Sequence, residues 1–198
     1  MQQYFDALIR HADNYNPLTP DEQARLPLYF TYRKIKRKEL LVKEGEVACC
    51  TYFVVKGCLR SYRIDPHGVE RINFFAIEDW WISDLHSFLT KQPATSFVEA
   101  LEDTHLLQQT RDEQLCMFDE IPKFERIFRI LHENYSVAMQ NRILETNSIS
   151  AEQRYENFSL KYPQFEQRIP QKYIASYLGI TPEFLSMIRS KKAKRRHQ

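Results

Sequence analysis

A chain of 198 residues has room for one large domain or two small ones, and at 43% hydrophobic and 13% aromatic it carries enough apolar mass for a packed core, which excludes a disordered or fibrous protein. The formal net charge is only +2, but the last ten residues hold six Lys and Arg and no acid, so a mildly acidic body ends in a basic stretch and a polyanionic partner is indicated. No run approaches the ~18 apolar residues of a membrane span, and the amphipathic start "MQQYFDALIRHADNY" has no apolar secretion signal, so a cytoplasmic location without membrane contact is expected.

Residues 1–30 read as helical. Leu8, Ile9 and Ala12 mark an apolar face, and "NPLTPDEQARL" restarts a helix with Thr19 as N-cap and Pro20 in the first turn. From about Phe30 the texture changes to short β-branched and aromatic runs, "TYRKIKRKELLVKEG", "CCTYFVVKGCLRSYRID" and "VERINFFAI", separated by turn signals. "DPHG" (Asp65 to Gly68) has the composition of a type I turn. With "SFVEALEDTHLLQQT" these runs predict a β-sandwich or roll over roughly 30–112. Cys49, Cys50, Cys58 and Cys116 form no C-x-x-C and are expected to be reduced thiols filling strand positions.

Leu115 to Ile121 reads as a short helix stopped at Pro122. A long helical stretch follows, in which Phe124, Phe128, Leu131, Tyr135 and Ala138 step by 4, 3, 4 and 3, while Ile127, Ile130 and Val137 form a second face. Apolar residues on two sides fit a helix that meets the β domain on one and a second copy of the chain on the other.

The C-terminal residues form a compact helical unit. Ile174, Ala175, Leu178, Ile180, Leu185 and Ile188 are buried-type positions. Ala175 is small where two helices touch, Gly179 suits a left-handed turn, and Leu185 closes the core of a helix-turn-helix. Thr181 caps the second helix, with Pro182 and Glu183 in its first turn. Thr181, Glu183, Phe184, Ser186, Met187, Arg189, Lys191, Lys192 and Lys194 are the expected DNA-contacting residues, with Glu183 suited to a base edge and the cations to phosphate. A single unit of this kind binds weakly, and pairing through the Phe124–Ala138 helix would present two half-sites roughly 34 Å apart.

The order of parts resembles the Crp/Fnr family of bacterial regulators, in the short, Tyr- and Trp-rich style common in Bacteroidetes. The resemblance is carried by "KEGEVACCTYFVVKGCLRSYRIDPHGVERINFF", by "WWISDLHSFLTKQPATSFVEALED" in the place of the family's phosphate-binding cassette, and by "IPQKYIASYLGITPEFLSMIR" in the place of its helix-turn-helix. It implies an α+β fold in three parts: a cyclic-nucleotide-binding-like β-roll, jelly-roll-like with flanking helices, over 1–120; a dimerisation helix over 121–147; and a helical DNA-binding domain lacking a full wing over 148–198. It further implies double-stranded DNA and a second copy as partners, and RNA polymerase downstream. The effector pocket falls on Trp80, Ser83, Asp84, Leu85, Ala94 and Thr95. Nucleotide-binding members carry a Gly-Glu pair for the ribose and an Arg-Ser pair for the cyclic phosphate, and these positions hold Ser83-Asp84 and Ala94-Thr95. With Ala94 in place of the cation, a buried phosphate loses its charge partner. With Asp79, Glu99 and Glu102 nearby the pocket is expected to lean acidic, so cAMP is not the expected effector; an unidentified small molecule is. One of Trp80 and Trp81 is expected in the core and the other in the pocket. The family's reading arginines fall on Pro182 and Met187, so target sequence does not carry over.

The sequence admits two rival readings. A metal-dependent enzyme on a β-roll needs clustered histidines, but His67, His86 and His105 stand 19 residues apart, and no nucleophile–base set or Gly-rich phosphate loop occurs. No enzyme and no metal is therefore expected. The second rival is a sensor or scaffold of the same fold whose helix-turn-helix has lost sequence-specific DNA binding.

Overall fold

The computed structural model describes residues 2–195, with side chains from 3 to 192. Helix α1 (Gln2–Asp13) buries Leu8 and Ala12 completely. Helix α2 (Pro20–Arg25) begins in a capping box: Thr19 Oγ1 accepts from the Glu22 N–H at 3.3 Å and Glu22 Oε2 from the Thr19 N–H at 2.6 Å. A 3-10 turn at Leu26–Leu28 leads into the strands.

Eight strands follow among the described residues: β1 (Thr31–Ile35), β2 (Leu40–Val42), β3 (Cys50–Lys56), β4 (Leu59–Ile64), β5 (Glu70–Ala76), β6 (Trp81–Ile82), β7 (Phe97–Ala100) and β8 (Thr104–Thr110). Helix α3 (Leu85–Thr90) lies between β6 and β7. The strands form two antiparallel sheets, ordered β1-β8-β3-β6 and β2-β7-β4-β5, so the chain crosses repeatedly from one to the other. Val54, Leu59, Ala76, Val98, Ala100 and Leu106 fill the space between them. The continuous apolar run of β3 has a physical cause: it is buried on both faces, with Val54 turned into the sandwich and Phe53 turned out against α1. The Asp65–Gly68 turn closes with a 2.8 Å bond from the Gly68 N–H to the Asp65 carbonyl, and Asp65 Oδ1 accepts from the N–H groups of His67 and Val69. At Gly57, which has φ +125°, an added Cβ would lie 2.3 Å from Thr104 Oγ1, so glycine is required for strand approach as well as for backbone conformation.

Helix α4 (Arg111–Glu120) starts four residues before the expected Leu115, because Thr110 and Glu113 form a second capping box. Helix α5 (Lys123–Ser148) is followed by α6 (Ala151–Lys161), whose N-cap is Ser150, and then by α7 (Phe165–Arg168), α8 (Gln171–Leu178) and α9 (Pro182–Arg195). The expected dimer stripe of Phe124, Phe128, Leu131, Tyr135 and Ala138 is corrected in its first half, because Phe124 and Phe128 are buried in the chain's own core, where no second copy can reach them. Ile127 joins Phe124 and Phe128 in the core shared with Phe53, Leu107, Met117 and Ile121, and Leu131 packs at its edge. Further along, Tyr135, Val137, Ile143 and Leu144 are 43%, 55%, 62% and 61% exposed. Cysteine placement also differs from expectation: Cys50 lies in a strand, Cys49 and Cys116 are exposed in a loop and on α4, and Cys58 is buried just before β4. Burial pushes the Cys58 thiol up to about 12.

The C-terminal helices share one apolar cluster with the second sheet. Tyr62, Ile72 and Phe75 from the strands are continuous with Phe158, Phe165, Ile174 and Leu178. The molecule is thus an α+β protein, a β-sandwich with helices before it and a helical C-terminal part packed on its β4–β5 side.

Candidate functional site

A cavity of about 1060 Å³ lies where the sandwich, α3 and α5 meet. Trp80, Trp81, Ser83, Asp84, Leu85 and Thr95 stand on its wall. Ala94 does not: it is buried in the sandwich core, its N–H bonded to the Glu46 carbonyl and its carbonyl to the Gly45 N–H. Both tryptophans are half-buried on the wall, so the expected division between core and pocket is corrected. Trp80 packs on Tyr162 and Phe165, and Trp81 on Phe128 with ring centres 4.7 Å apart.

Asp84 caps α3 by accepting from the Ser87 N–H at 3.0 Å, and its other oxygen accepts from the Thr95 N–H at 3.1 Å and the Ser96 hydroxyl at 2.6 Å. Burial works against its charge, but these three bonds outweigh it and, with the nearby Arg63 charge, hold the carboxyl below the usual range. Asp84 is therefore spent on holding the α3–β7 loop to the helix. The expected acidic lean is corrected too: Glu99 pairs with Arg60 and Glu102 with Arg168, both off the wall, while Arg63, Arg111, Arg129 and Arg142 stand on it beside Asp79, Asp84 and Glu125. Arg63 was missed in the sequence although strand alternation marks it: Leu59, Ser61 and Arg63 fall on one face of β4. Among the described residues no group of three or more His, Cys, Asp or Glu is placed to hold a metal ion.

The second candidate surface is the α8–α9 pair. Ile174, Ala175, Leu178, Leu185 and Ile188 are buried where the two helices meet. Gly179 is left-handed at φ +70°, and the N–H groups of Gly179 and Ile180 close α8 on the carbonyls of Ser176 and Ala175 at 3.1 and 3.0 Å. Thr181 Oγ1 accepts from the Phe184 N–H at 3.2 Å and so starts α9. Glu183, Ser186, Met187, Ser190 and Lys191 point outward. Glu183 is held below the usual carboxylate range by its own backbone N–H and by the Thr181 hydroxyl. Two predicted contact residues turn inward: Phe184 packs half-buried on the apolar cluster, and the Lys192 ammonium lies 5.3 Å from the Tyr155 ring centre. Arg189 lines a cleft of about 350 Å³ with Gln171, Ser186 and Ser190. The side chains of Lys194 and Arg195, and the whole of Arg196, lie outside the described residues.

Three arginines that sequence reading did not single out tie the two surfaces together. Arg60 is buried between the Tyr62 and Tyr173 rings, 4.0 and 4.1 Å from their centres, and bonds Glu70 at 2.5 and 3.1 Å and Glu99 at 2.6 Å. Burial opposes its charge, and the two carboxylates more than compensate, so its pKa lies above the ordinary value. Arg168 grips Glu78 at 2.7 and 3.0 Å and also Glu102. Arg142, from α5, donates to the carbonyls of Ile72, Asn73 and Tyr177 and stacks on Tyr177 at 4.1 Å. Beside it Ser176 Oγ accepts from the Ile72 N–H and donates to the Glu70 carbonyl, so side chains from α5 and α8 satisfy the free edge of β5.

The sandwich and its cavity define a class: residues 32–120 match the family model of the cyclic nucleotide-binding domain. The likenesses to solved structures extend over more of the chain than this segment. The structure is similar to FixK2 from Bradyrhizobium japonicum, with a TM-score of 0.72 and 19% identity over 84% of this chain and 85% of that one. It is similar to a CooA variant from Carboxydothermus hydrogenoformans at 0.70 and 17%, over 84% and 77% of the two chains. The catabolite activator protein of Thermus thermophilus aligns at 0.56 and 21%, over 91% and 86%. At such identities the likeness is one of fold. Comparison of the sequence with curated proteins returns no match.

Proposed function

We propose that the chain is a DNA-binding transcription regulator of Crp/Fnr type that acts as a homodimer in the cytoplasm, with 1–120 as effector domain, 121–147 as dimerisation helix and 148–198 as helix-turn-helix domain. The observation that carries the reading is the α8–α9 pair: a left-handed glycine between helices whose inner faces are sealed, with a polar outer face on the second running into cations. Arg189, Ser186, Ser190 and Gln171, which line one shallow cleft, are donors of the kind that bond backbone phosphate. Val137, Ile143 and Leu144, exposed on the far part of α5 and off the cavity wall, suit a second copy, which would place the two α9 helices for successive major grooves. Helix α8 is fastened to β5 through Ser176, and this favours the rival reading of a sensor with lost DNA binding if that docking proves permanent.

Fluorescence anisotropy of a labelled duplex against salt tests the reading. Exchanging Arg189 and Lys191 for alanine is expected to weaken binding and to lower the slope of log affinity against log salt by about one per cation removed. Unchanged affinity and slope would favour the sensor without DNA.

A further inference from the structure

We infer that the cavity between the sandwich, α3 and α5 is a site for an organic anion with an aromatic body, its negative group paired with Arg63 or Arg111. This rests on the proposed function only in taking the cavity as the sensor's ligand site. About a third of the wall is aromatic, with Phe74, Trp80, Trp81, Phe88, Phe128 and Tyr135 among its residues, and about half is polar or charged. Such a mixed wall suits a ligand with a planar body and a charged substituent.

The charge follows from how the wall's cations are used. Arg63 Nη2 donates to Thr95 Oγ1 at 2.5 Å and Arg111 Nη1 to Gln114 Oε1 at 2.5 Å. Both acceptors are neutral, and among the described residues neither guanidinium forms a salt bridge. Of the wall's carboxylates, Asp84 is close enough for its charge to interact with that of Arg63, but its oxygens are committed to Ser87, Thr95 and Ser96. An incoming carboxylate, sulfonate or phosphate oxygen could replace a neutral acceptor at either arginine and gain a charge-assisted bond.

His11 and Trp81 also stand on the wall, but both rings pack on Phe53, and their Nε2 and Nε1 atoms are sealed from the cavity and take no part in holding a ligand. His11 comes from α1, outside the matched domain segment, so the site reaches beyond the sandwich. A cyclic nucleotide fits poorly: the carboxylate in the ribose-binding position is consumed by the fold, and the phosphate position holds a buried alanine off the wall.

The test uses the full-length protein and two dyes, anilinonaphthalene sulfonate and phenylnaphthylamine, the same ring system without the sulfonate. In fluorescence titrations the R63Q/R111Q variant is expected to bind the sulfonate at least tenfold more weakly and the neutral dye as before. Arg63 is exposed at the rim, so R63Q alone carries the comparison if the double variant does not fold. Sulfonate binding unchanged in the variants, or both dyes weakened equally, overturns the inference, as does displacement of the sulfonate from the unaltered protein by cAMP. Duplex binding measured on the same preparations separates the two claims. Its absence beside intact dye discrimination defeats the regulator reading alone, and the converse defeats the anion site alone.

Discussion

His11 shows how a single residue can be visible in a sequence and its situation invisible. It sits on α1 among apolar positions, and nothing local says that its ring will lie against Phe53, 5.3 Å between centres, with one nitrogen unpartnered. Burial lowers its pKa, with the Asp79 charge opposing less strongly. The folded protein therefore resists protonating it, while the unfolded chain takes up a proton below the ordinary value of 6.5. The stability this provides is fully present above pH 6.5 and declines as pH falls below it. Urea unfolding of H11F between pH 7 and pH 5 is expected to show a shallower decline than the unaltered protein, and parallel curves would refute the assignment. Gly179 is the opposite case. Its need for a left-handed conformation follows from the sequence, since an apolar helix ends there and Thr181-Pro182 starts the next.

At the scale of elements, strand periodicity, turn glycines and helix caps were legible because each acts within a few residues. The Asp65–Gly68 turn and the cap at Thr181 form as their residue types dictate. Contacts between distant elements were not legible. Arg142 gives no local sign that it will serve three carbonyls on β5 and α8, and Arg60 reads as a surface residue until Tyr173 is folded over it. Arg142 joins the helix proposed for dimerisation to the edge of β5 and to the last turn of α8. Replacing it with alanine is expected to cost about 2 kcal/mol, the scale of hydrogen bonds made by a charged donor. Amide exchange should then quicken at Ile72–Phe75 and along α8, while the β3–β8 ladder keeps its protection. Uniform exchange across the molecule would mean that the residue is not a local fastener.

For the whole molecule, the arrangement of apolar clusters matters most. The C-terminal helices do not close a core of their own; they complete one with Tyr62, Ile72 and Phe75. Arg60 stands at this seam between two carboxylates and two rings, so its loss leaves Glu70 and Glu99 facing each other without a counter-charge. Arg60→Met is expected to destabilise the fold by about 3 kcal/mol, and adding Glu99→Gln should recover part of it; no recovery would place the loss in packing instead. The overall plan was legible because it depends on the order of strands and helices. The cavity's polarity was misjudged because it depends on which side chains pair elsewhere: Glu99 and Glu102 leave the pocket for Arg60 and Arg168, and Arg63 enters it from β4.

The central claim is that two copies present paired α9 helices to one duplex. Selection of bound molecules from a pool of random duplexes by the full-length protein tests it directly. The account predicts enrichment of a two-fold symmetric sequence whose half-sites are centred about 34 Å apart, lost when Glu183 and Arg189 are both replaced by alanine. A pool that stays random after repeated rounds, or an enriched sequence that the replaced protein binds equally well, would contradict it.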